Sequence, residues 1–144
     1  MDVLGLLRSK NRCLRNFLQA STAFLDEAER SGQLPDIVAL ETRRDAILKA
    51  IDLYDRKINE AVCLLGTGAN HAPELVEAVK AALEEKTALI HRILQLDDRL
   101  LELIDAEKNK VLKDLSFAHK QAEVSKKFKS TWVPEPGEGI DEKL

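Results

Sequence analysis

The stretch Asp97–Lys129, DDRLLELIDAEKNKVLKDLSFAHKQAEVSKKFK, decides the fold. Its apolar residues recur at Leu100, Leu103, Ile104, Val111, Leu112, Leu115, Ala118 and Ala122, mostly three or four apart. That spacing places side chains on one face of a helix. No glycine or proline occurs from Glu74 to Val133, so nothing local stops such a helix before the C-terminal tail. The stretch reads as the second half of one long helix.

Working back from it, the same helix opens at Pro73 and Glu74, a first-turn pair. It continues through Val76, Val79, Leu83, Leu89, Ile90, Ile93 and Leu96. Before it lies GTGANHAP, a glycine-marked break at Gly66 and Gly68. A second helix is expected over about Pro35–Leu65. Its 3-4 pattern of Ile37, Leu40, Ile47, Ile51, Tyr54, Ile58, Ala61 and Leu65 is the cleanest in the chain, with Arg44 the one polar intruder. Pro35 fits the first turn of that helix, and Asp36 lies beside the positive end of its dipole.

A first helix is expected over about Asp2–Arg30. Val3, Leu7, Leu14, Phe17, Phe24 and Ala28 form its seam, Leu6, Leu18 and Leu25 widen it, and Lys10 and Ser21 interrupt it. Gly32 follows as a C-terminal cap. The short breaks between helices favour antiparallel neighbours. Pairing across 66–72 sets Ile37 opposite about Leu103. At about 1.5 Å per residue, the last helix then overhangs by about 35–40 Å out to Lys129.

The fold class is therefore all-α: an antiparallel bundle of three long helices, the last extended well beyond the others. Residues 1–129 read as one helical domain. Residues 130–144, STWVPEPGEGIDEKL, read as a flexible tail in which Trp132 is a local packing anchor. Charged residues make up 33% of the chain and aromatics 4%, the profile of a coiled coil or bundle. A net charge of -3 with both signs interspersed argues against nucleic-acid binding. No segment approaches the ~20 apolar residues of a membrane span, and no signal peptide is read at the N-terminus. The expected compartment is the cytoplasm, with Cys13 and Cys63 reduced and facing the core.

Catalytic and metal chemistry find no support in the residues. A bundle's di-iron site needs Glu-x-x-His, but Ala88 precedes His91 and Ser116 precedes His119 at that offset. Neighbouring acids such as Glu84–Glu85 and Asp97–Asp98 point to different sides of the helix. Gly66-Thr67-Gly68 lacks the Lys-Ser/Thr of a phosphate loop. Lys126, Lys127 and Lys129 suit a helix C-terminus through the dipole alone. No catalytic residue, metal or cofactor is expected.

What remains is an apolar helix face without a partner. Leu100, Leu103, Ile104, Val111, Leu112 and Leu115 are the candidate binding residues on it.

Three stretches then acquire a shared meaning. They are DIVALETRRDAILKAI (Asp36–Ile51, with Arg43 and Arg44 at its middle), LDDRLLELIDAEKNKVLKDL (Leu96–Leu115), and the ending KKFKSTW with GIDEKL. Together they resemble a flagellar type III export chaperone of the FlgN/FliT kind. The resemblance implies a partner: the helical C-terminal segment of a late flagellar subunit, of the hook–filament junction or filament-cap type. The chaperone grips this segment, keeps the subunit monomeric and delivers it to the export apparatus. The alternative from the residues alone is a structural coiled-coil protein whose last helix forms a homodimer or larger homo-oligomer.

Overall fold

The computed structural model describes residues 2–65 and 71–132, with side chains as far as Lys127. Three helices follow in order: α1 (Val3–Ser31), α2 (Ile37–Leu65) and α3 (Pro73–Trp132). Among the described residues there is no strand. The expected breaks hold, because each is set by a local chemical signal. Asp2 caps α1, its carboxylate accepting from the Gly5 N–H at 2.7 Å. Gly32 ends that helix at φ 72, the left-handed conformation a glycine takes without strain. Pro73 begins α3, where a missing N–H costs nothing.

Two boundaries differ from expectation. Pro35 lies outside α2, because Asp36 takes the cap position and accepts from the Ala39 N–H at 3.1 Å. The last helix runs to Trp132, three residues into the expected tail. Gly66, Gly68 and the tail from Val133 onward lie outside the described residues, as does the side chain of Trp132.

The chain divides into two compact units, and the division falls within α3, between Leu103 and Ile104. In the first unit α2 runs antiparallel to both neighbours. Lys10 pairs with Asp55 at 2.6 Å, and Arg44 pairs with Asp97 at 3.0 Å. The α3 segment runs parallel to α1, since Arg15 pairs with Glu85 and Glu29 with Arg99 at the same sequence offset. The core centres on Leu14, Phe17 and Leu18 of α1, Ile51 of α2, and Leu89 and Ile93 of α3.

The cleanest sequence pattern does not mark the most buried helix. In α2 only Leu40 and Ile51 are buried, and Ile47, Tyr54, Ile58 and Ala61 are half-buried. Buried positions in α1 run from Leu6 to Ala28 and include Asn11 and Ser21, each 1% exposed. The width of the α1 stripe is the reason: it is covered from two sides, by α2 and by α3. Ser21, read as an interruption, is inside the core. Asn11 donates from Nδ2 to the Ala82 carbonyl of α3 at 2.9 Å, while its Oδ1 has no partner. Leu65 is exposed.

In the first-unit part of α3, Ala82, Leu89, Ile93 and Leu100 are buried, whereas Val76, Leu83 and Ile90 are exposed. Residues read as one run thus divide between two faces. Cys13 packs against the core, but Cys63 is exposed, which corrects the expectation that both thiols face inward.

Candidate functional site

The second unit, by itself, is the α3 segment from Ile104. From Lys108 to Lys127 every residue is exposed, including its large apolar ones. Val111 is 46% exposed, Leu112 53% and Leu115 62%. Isolated exposed leucines are ordinary, but a row of them at helical spacing is not.

At about 100° per residue, Val111, Leu115, Ala118 and Ala122 fall on one narrow stripe, and Leu112 sits on its flank. Opposite the stripe, Lys113, Lys120 and Lys127 are spaced seven apart and form the polar ridge of the segment. His119 and Glu123 meet across one turn at 3.3 Å. The small side chains of Ala118 and Ala122 would let a second helix approach closely, with Val111 and Leu115 as its main apolar contacts.

The six candidate residues do not all share this setting. Leu100 is 6% exposed and belongs to the core of the first unit, so it is removed from the candidate surface. The expected pairing of Ile37 with about Leu103 already places Leu100 beside the bundle, and its face is packed there. Leu103 and Ile104 are half-buried. Val111, Leu112 and Leu115 are fully available. Phe117 and Val124, 63% and 65% exposed, were missed. Their signal is their own seven-residue spacing, on the far side of the helix beside the lysine ridge.

The first unit also holds an apolar cleft of about 330 Å³ between the start of α1, the end of α2 and the start of α3. Its polar groups are Asp2 and His71. The Asp2 carboxylate is engaged in capping α1, which leaves His71 without an acidic or nucleophilic companion in the lining. Among the described residues no group of three or more His, Cys, Asp or Glu side chains is placed to hold a metal ion. No helix among them is long and apolar enough to cross a membrane. Set against known proteins, the chain matches no family model, no curated protein and no solved structure.

Proposed function

We propose that this protein is a helix-binding chaperone of the flagellar type III export kind, and that the second-unit stripe of α3 receives the client. The observation that carries the reading is the exposure of Val111, Leu112 and Leu115 together on a helix of this length. An exposed apolar helix face offers a client's amphipathic helix the partner it will later find in its own assembly. The resemblance in Asp36–Ile51, Leu96–Leu115 and the C-terminal ending supplies the class of client, the helical C-terminal segment of a late flagellar subunit.

The same stripe would serve a structural protein that pairs permanently with its own copy. Light scattering across a concentration series separates the two. A chaperone gives a monomer or a weak dimer that yields to a labelled client helix and binds it one to one. A dimer of constant mass that ignores the client helix contradicts the proposal.

A further inference from the structure

On the side of α3 away from the client stripe, the second-unit segment carries a surface of another kind. At about 100° per residue, Lys110, Lys113, Phe117, Lys120 and Val124 all fall within about 40° of one line along the helix. From Ala106 to Lys127 no acid lies within about 60° of that line. The acids Asp105, Glu107, Asp114 and Glu123 lie farther round, on the half that holds Val111, Leu115 and Ala122. That half also carries Lys108 and Lys126, one at each end of the client stripe. The segment is thus mixed in charge on the client side and purely basic on the other.

The helix dipole does not account for these lysines. It draws cations to the last turn, and Lys120 stands about three turns before Trp132, where α3 ends. Pairing along the helix does not hold them either. Among the described residues Lys110, Lys113 and Lys120 make no ion pair or side-chain hydrogen bond. Between them sit two large apolar groups, Phe117 and Val124, 63% and 65% exposed. An apolar centre among unpaired lysines is the pattern of a helix that lies on an anionic interface.

We propose that this face docks on the surface of an anionic lipid bilayer, with the second-unit helix lying in the plane of the headgroups. The lysine ammonium groups meet lipid phosphates, and Phe117 and Val124 enter between the headgroups. At about fivefold per lysine near such a surface, the three contribute about a hundredfold. The contact is peripheral, since no helix among the described residues is long and apolar enough to cross a membrane. The charges also set the orientation. An anionic bilayer attracts the purely basic side over the side that carries the acids, so Val111 and Leu115 turn outward and the client stripe stays open. A nucleic acid would attract the same lysines, but it offers Phe117 and Val124 no apolar layer to enter.

Co-sedimentation of the full chain with vesicles tests this. Binding to phosphatidylcholine and phosphatidylglycerol in equal parts should be at least about tenfold tighter than to phosphatidylcholine alone at about 0.1 M salt, and should fade at about 1 M. Lys113→Glu with Lys120→Glu should lower binding at least about tenfold with an unchanged circular dichroism spectrum, whereas Lys113→Arg with Lys120→Arg should keep it. Phe117→Ser should weaken binding severalfold, and Leu115→Ser should leave it as it was. Equal partition onto the two kinds of vesicle, or no binding to either, overturns the proposal. So does binding lost in Leu115→Ser and kept in Phe117→Ser, which would put the client stripe on the bilayer. Tighter binding to a labelled DNA duplex than to the anionic vesicles, lost in the same double glutamate variant, would overturn it in favour of a nucleic acid.

Discussion

Arg44 donates to both carboxylate oxygens of Asp97, at 3.0 and 3.1 Å, and its guanidinium lies 4.3 Å from the centroid of the Phe17 ring. One side chain of α2 thus ties α3 to α1. The residue that breaks the apolar pattern of its helix is the one that links all three. The planar guanidinium serves both tasks, its Nη2 bridging the two carboxylate oxygens while its face stacks over an aromatic ring. Both ends of the pair are more than two-thirds withdrawn from solvent, so screening is incomplete.

Arg44→Ala is therefore expected to lower unfolding stability by about 2 kcal/mol in denaturant titration, the scale of hydrogen bonds to a charged group. Arg44→Lys should recover less than half of that, because an ammonium has no plane to stack on the Phe17 ring while it reaches Asp97. A loss below about 0.5 kcal/mol for Arg44→Ala, the behaviour of an ordinary surface site, would contradict this account.

Asn11 offers a sharper contrast of charge against shape. It is 1% exposed, donates to the Ala82 carbonyl and leaves its Oδ1 unpaired. Asn11→Asp removes the donor and buries a negative charge. Asn11→Leu removes the donor and the unpaired oxygen together. The aspartate variant is expected to be less stable than the leucine variant by at least about 2 kcal/mol at neutral pH. Equal midpoints for the two would show that water reaches this position.

Gly32 isolates a purely conformational effect. Its φ is 72, and a Cβ added there would meet nothing within 4 Å. Gly32→Ala should cost about 1–2 kcal/mol from the left-handed backbone alone, and Gly32→Asn less. An alanine variant as stable as the original would mean that α1 ends in another way.

Burial also grades the substitutions along α2. Ile51 is 9% exposed and touches the central cluster, so Ile51→Ala is expected to cost about 2–5 kcal/mol. Ile58 is half-buried. Ile58→Ala should cost less than half as much, since less surface returns to water. The reverse order in thermal melts would move the centre of the core toward the end of α2.

The helix boundaries were legible because Asp2, Gly32, Pro73 and their neighbours act locally. Their chemistry is the same in a peptide as in a bundle. Which helix sits innermost was not legible. The 3-4 spacing of α2 marks a face without saying how many neighbours cover it. The two-sided burial of α1 looked like an imperfect seam broken at Ser21.

The division of α3 into two faces was hidden for a related reason. Leu89 and Ile90 are adjacent in sequence but turned about 100° apart, and either can belong to a helical stripe. Only the packing of α1 and α2 chooses Leu89 for the core. The exposure of Val111, Leu112 and Leu115 was legible from their spacing together with the overhang of the last helix. Leu100 was misassigned because its spacing continues the stripe of Leu103 and Ile104, although the register already placed it beside the bundle. Phe117 and Val124 were passed over because they lie off the main stripe.

The central claim, that the second-unit stripe of α3 is an open binding face, is tested most directly by one pair of variants melted side by side. Leu89→Asp places a charge in the core and should unfold the bundle or lower its midpoint severely, because an unpaired buried charge is expensive. Leu115→Asp places the same charge at a position 62% exposed and should keep the midpoint within a few degrees. On that sample, anisotropy with a labelled C-terminal helix of a flagellar subunit should show binding abolished. A Leu115→Asp variant that melts as badly as Leu89→Asp, or that melts normally and still binds the helix with unchanged affinity, would contradict the account.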